Sequence, residues 1–112
     1  MDATPYRRLI ARLHATPAAD RRQRWRLLMA AHVLGQGRFA LHWDSHVRML
    51  RQAVAEGDLA EAAGQVLRLA LTPLGHALGR LPAGNVGRAT VSAFRPMQPP
   101  AEVAALMTWA KS

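Results

Sequence analysis

The sequence predicts an all-α fold, a small bundle of four to five helices, and three observations carry that prediction. Proline, glycine and capping residues divide the chain into segments of helix length. Within those segments, apolar residues recur at three- and four-residue spacing. The only extended candidate, Ala-Thr-Val-Ser-Ala-Phe at 89–94, has no second strand to pair with.

Thr4-Pro5 and Thr16-Pro17 each read as an N-cap followed by proline at the first helical position. They open helices expected over 5–15, with Leu9, Ile10 and Leu13 inward, and over 17–34, ending at Gly35. Gly35-Gln36-Gly37 is a short break before a third helix, 39–56. Gly57 closes that helix and Asp58 caps a fourth over 59–80, with Pro73 expected to kink or divide it. Residues 81–99 are rich in proline and glycine and predict an ordered loop, followed by a last helix over 100–110. Short breaks between the central helices predict antiparallel helical hairpins with a faint tetratricopeptide-like character in Glu-Gly-Asp-Leu-Ala-Glu-Ala-Ala, although no 34-residue repeat is present. The expected core comprises Trp25, Leu28, Trp43, Val47, Leu50, Val66, Leu67 and Leu74.

The 112 residues are expected to form one helical domain, 1–112, with 1–4 and 111–112 frayed. Half of the residues are hydrophobic, so a true core is within reach. The absence of cysteine excludes disulfide scaffolds, thiolate metal sites and cysteine catalysis. No apolar run is long enough for a signal peptide or a membrane span, so the expectation is a cytoplasmic protein without a membrane partner. Basic residues outnumber acidic ones 15 to 7, and all but Lys111 are arginine. A net charge of +8 attracts nucleic acid, but it is also what an arginine-rich genomic composition produces. Arg21, Arg22, Arg24 and Arg26 crowd the start of the second helix, where the dipole makes them mutually unfavourable. A basic interaction module binding protein or nucleic acid, with structural histidines, is therefore the alternative functional class, and a homodimer is a milder version of it.

The histidines carry the chemistry. On the third helix Trp43, Val47, Leu50 and Val54 mark the centre of the expected buried arc, and Asp44, Arg48, Arg51 and Gln52 lie opposite, toward water. His42 and His46 flank the arc four residues apart, so both imidazoles project from one face. That spacing lets one helix give two nitrogens to a metal. His32 lies in the most apolar stretch of the second helix, Leu-Leu-Met-Ala-Ala-His-Val-Leu, one helix reversal away. An antiparallel hairpin brings His32 to face His42 and His46, leaving a coordination position open for water or a small molecule. Neutral imidazoles suit zinc, copper or iron. A satisfied core histidine at 32 and boundary histidines at 42 and 46 are the structural alternative. Gln36 at the turn and Asn85 in the late loop are candidate cofactor contacts, and Asp44 is a weaker orienting candidate because it points away. Met29 and Met49 sit three residues from histidines but are expected as core. His14 and His76 are expected on the surface.

Other chemistries fall away. His-Trp-Asp-Ser-His has Trp43 where a zinc protease carries its glutamate. Pro-Ala-Gly-Asn-Val-Gly, 82–87, lacks the lysine and hydroxyl of a phosphate loop and reads as a turn. Together Ala-His-Val-Leu-Gly-Gln (31–36), His-Trp-Asp-Ser-His-Val-Arg-Met-Leu (42–50), Gly-Gln-Val-Leu-Arg-Leu-Ala (64–70) and the 82–97 segment resemble the bacterial domain-of-unknown-function family 3703 over most of residues 25–110. Arg88 and Thr90 depart from that family's glycine- and asparagine-bearing turn. The resemblance implies an all-helical fold and points to the same three histidines, without naming a metal or a reaction.

Overall fold

The computed structural model describes residues 2–79, 85–90 and 97–112. They form five helices: α1 (Thr4–Ala15), α2 (Arg21–Gly35), α3 (Phe39–Glu56), α4 (Leu59–Leu78) and α5 (Ala101–Lys111). No strand occurs among the described residues. The expected all-α bundle is the fold. No helix among them is long and apolar enough to cross a membrane.

The N-termini of α1 and α2 differ from expectation for a local reason. Thr4 lies inside α1, where the Asp2 carboxylate accepts from its backbone N–H at 2.9 Å and its hydroxyl at 2.7 Å. The Thr16 hydroxyl donates back to the Arg12 carbonyl at 2.7 Å, so it cannot cap the next helix. Asp20 takes that role, accepting from Gln23 N–H, and α2 starts at Arg21 rather than Pro17. Farther on, Gly57 and Gly79 end α3 and α4 at φ 72° and 66°, in the left-handed region. The Asp58 side chain caps α4 through Glu61 N–H at 3.0 Å, and α4 continues as one helix through Pro73. The expected loop over 81–99 is described only at 85–90 and 97–99. The rest of it, including most of the extended candidate 89–94, lies outside the described residues.

Helix α2 is the hub, packing on α1, α3 and α5, while α4 packs on α3. Trp25, Leu27, Leu28, Ala30 and Ala31 of α2 meet Tyr6, Leu9, Ile10 and Leu13 of α1 and Val103, Leu106 and Ala110 of α5. Arg24 ties α2 to its neighbours, donating to Gln52 Oε1 and to the Leu13 and Thr16 carbonyls. One member of the arginine cluster thus spends its charge on helix ends. Deleting most of the fully buried Leu28 side chain as Leu28→Ala is expected to cost about 2–5 kcal/mol in denaturant unfolding.

The expected core is half wrong, and the error is confined to α3 and α4. Trp25 and Leu28 are buried, but Val47 and Leu50 are only partly covered, and Trp43, Val66, Leu67 and Leu74 are exposed. Instead, α3 buries His42, Ser45, His46, Met49, Gln52 and Ala53, and α4 buries Glu61, Ala62, Gln65, Arg68 and Thr72. The two helices meet along their polar faces. Gln52, expected to face water, is buried among its partners, whereas Asp44 is partly covered with its side chain 39% exposed. Gln52 bonds Arg24 and Glu56, and Asp44 accepts from Tyr6 at 2.6 Å and from Arg48 at 2.7 Å. Polar groups whose bonds are made among themselves can be buried at little net cost.

Candidate metal centre

The antiparallel hairpin of α2 and α3 places His32 near the end of one helix against the first two turns of the next. The three Nε2 atoms form a nearly equilateral triangle. His32 lies 3.1 Å from His42 and 3.2 Å from His46, and His42 and His46 are 3.2 Å apart. All three residues are buried. Three nitrogens each about 2.0–2.1 Å from one ion stand about 3.3 Å apart in a tetrahedral site, so the triangle fits a metal within a few tenths of an ångström.

The outer nitrogens decide what the inner ones present. His32 Nδ1 lies 2.7 Å from the Asn85 carbonyl, which can only accept, so Nδ1 carries the proton. His46 Nδ1 lies 2.7 Å from Gln65 Oε1. The orientation of that amide follows from its other end, where Nε2 donates to Glu61 at 2.8 Å and to the Gly87 carbonyl at 2.9 Å. Hence His46 Nδ1 is also protonated. Both Nε2 atoms then carry lone pairs, aimed at each other across 3.2 Å. His42 Nδ1 meets His76 Nε2 at 2.9 Å, and either ring can donate in that contact.

Burial keeps the three rings neutral. It drives His32 well below the ordinary histidine range, with His46 and His42 adding mutual repulsion of positive charge. Burial, His46 and His76 push His42 down to about 3. For His46 burial again dominates, the Gln65 bond partly opposes it and Arg68 adds to it, giving about 4. Neutral imidazole is the ligating form.

A second layer holds this arrangement. Glu61 is 3% exposed and accepts from Gln65, from Arg88 Nε at 2.7 Å and from Ala89 N–H at 2.8 Å. Burial works to raise its carboxyl, but the Ala89, Gln65 and Arg88 donors outweigh it and hold the group below the usual range. The Arg88 guanidinium in turn lies 3.8 Å over the Trp25 ring, which locks it against the core. The backbone at position 87 packs directly on the His32 imidazole because that residue is glycine. A Cβ there would come within 2.7–2.9 Å of that ring, and its φ of 84° suits glycine. The Asn85 side chain closes the turn by accepting from Gly87 N–H at 2.9 Å.

His32, His42 and His46, singled out in the sequence, are thus brought together. Asn85 reaches the cluster through its main-chain carbonyl, and Gln36 is buried at the end of α2. Asp44 belongs to the Tyr6–Arg48 contact, and Met49 is core. His14 is exposed as expected. His76 is not on the surface as expected; it is half-buried against His42 and Phe39. Sequence reasoning also missed Glu61, Gln65 and Gly87. A signal was present in the polar stripe 61, 65, 68, 72, 76, spaced four, three, four and four along α4. Periodicity shows such a stripe without showing whether it faces water or a neighbour.

Fold and site together define a helical protein with a buried cluster of three neutral imidazoles backed by a glutamine–glutamate–arginine relay. The chain belongs to the family described as protein of unknown function DUF3703, whose model matches residues 4–107. No curated protein and no solved structure matches it.

Proposed function

We propose that the protein binds a divalent transition metal through His32, His42 and His46. One observation carries the reading: lone pairs of His32 and His46 converge while both outer nitrogens are committed as donors. Without a cation, the most the cluster can supply is one proton on His42 Nε2, which cannot satisfy two lone pairs well. A metal satisfies all three at once. It then leaves His42 Nδ1 to donate to His76, so each ligand has an outer partner, the pattern that orients imidazole ligands.

Zinc, copper and ferrous iron all accept three imidazoles. Three protein ligands leave a position for water or a small molecule, where the metal would act as a Lewis acid. Asn85 and Gln65 fix the ring orientations of His32 and His46, and His76 does so for His42. Gln36, buried at the α2 terminus, serves the turn between the two ligand-bearing helices in this reading.

Elemental analysis of protein purified without an affinity tag tests the proposal. Stoichiometric metal is expected in the native chain and none in a His42→Ala/His46→Ala variant. Added metal should raise the melting temperature of the native chain only, by about 2.7 kcal/mol of stability at a hundredfold excess over Kd. Equal, substoichiometric metal in both proteins would return the histidines to a structural role.

A further inference from the structure

Helix α4 is inside out. Its charged residues, Glu61 and Arg68, are buried, whereas Leu59, Val66, Leu67, Leu74 and Leu78 are 54–77% exposed. Ala63, Ala70 and Ala77, at successive sevens, are exposed among them. Every large hydrophobic side chain exposed among the described residues lies on α4 or on its neighbour α3, as Phe39, Trp43 and Val54. Phe39 sits against His76, beside the C-terminal end of α4.

We propose that this face is where two copies of the chain meet, α4 against α4. The seven-residue recurrence is the first reason. Small residues at 63, 70 and 77 beside large ones at 59, 66, 67 and 74 give holes and knobs at the period of paired helices. Every feature a partner helix would need is on the face itself, so two copies related by a two-fold axis complement each other.

Area is the second reason. The eight exposed side chains, at roughly 100 Å² each, approach the about 800 Å² per partner that a stable interface buries. Charge is the third. A chain of net charge +8 repels its copies, but among the described residues the α4 side of this face carries no charge because Glu61 and Arg68 are turned inward. It therefore offers nothing to an acidic partner, and no basic border on α4 for an anionic lipid surface. In such a dimer, α4 is a wall with the histidine relay on its inner side and the seam on its outer side. The proposal stands on exposure and spacing and is independent of any metal.

Light scattering coupled to size exclusion, across the micromolar range, should give twice the 12.3 kDa chain mass. A Leu67→Glu/Leu74→Glu variant should run at half the native mass with unchanged helical circular dichroism. Because the chain has no cysteine, single-cysteine variants give a readout that does not depend on the double variant folding. Oxidised Ala70→Cys should become a covalent dimer, and Ala11→Cys, exposed on α1, should not. A 12.3 kDa native species at all concentrations, with Ala70→Cys cross-linking no better than Ala11→Cys, overturns the proposal. So does a monomer that co-sediments with anionic vesicles, which would assign the face to a lipid surface.

Discussion

Replacing Glu61 with alanine is expected to weaken the fold by about 3 kcal/mol and any metal bound at the histidines by 10- to 100-fold. The single carboxylate serves Gln65, Arg88 and the Ala89 N–H. Its loss strands a buried amide donor and a backbone donor and leaves Arg88 without its ion pair. The Arg88 side chain is 23% exposed and can turn to water, which keeps the cost below that of a fully buried charge. The effect on metal passes through Gln65. Without Glu61, Gln65 Nε2 is held by the Gly87 carbonyl alone, and the acceptor it presents to His46 Nδ1 is less firmly fixed. Denaturant unfolding of the metal-free protein and metal titration of the folded protein separate the two consequences. A Glu61→Ala variant with native stability and native metal affinity would show that the relay is decorative.

That relay also marks where the sequence stopped being legible. The helices follow from punctuation: Gly57-Asp58 ends one and caps the next by main-chain and side-chain geometry that operates within a few residues. The three histidines were legible because two lie four apart on one helix and the third lies in an apolar stretch one reversal away. Burial on α3 and α4 was not. Trp43 and Leu67 are apolar and periodic, and a sequence alone assigns such stripes to the core. The histidine–glutamine–glutamate ladder reverses that assignment because its polar atoms satisfy one another across the α3–α4 contact. This satisfaction depends on pairing His46 with Gln65 and Glu61 with Ala89, 19 and 28 residues apart, and no local pattern encodes those pairs. His76 was misplaced for the same reason. Its partner, His42, is 34 residues away. Where an interior is built from long-range hydrogen bonds, hydropathy is a poor guide to which face is inside.

Acid is expected to unfold the metal-free protein well above the pH at which its buried histidines themselves protonate. In the folded chain His42 and His46 are pushed down to about 3 and 4, and His32 lies well below its ordinary value. In the unfolded chain all three titrate near about 6.5. The folded pKa values are depressed, so between these limits the unfolded state binds more protons and stability rises with pH. It is fully present above about 6.5 and drains away as pH falls toward 4. Each histidine in this window contributes a slope of about 1.4 kcal/mol per pH unit, and three together are enough to exhaust an ordinary stability of about 5–15 kcal/mol within a few units. Glu61 adds to the loss only lower, as its depressed carboxyl takes up a proton. Bound metal keeps the three imidazoles deprotonated in the folded state alone. It should therefore raise the melting temperature at neutral pH and lose that hold as protons compete for the ligands in acid. The check is a series of thermal melts from neutral pH to pH 4, with chelator and with metal. The His42→Ala/His46→Ala variant should give a flatter profile, since two of the three linked protons are gone. A native, metal-free melting temperature that stays level between pH 7 and pH 5 would mean that the imidazoles protonate in place. The converging lone pairs would then have a proton as their natural occupant, and the case for a metal would lose its footing.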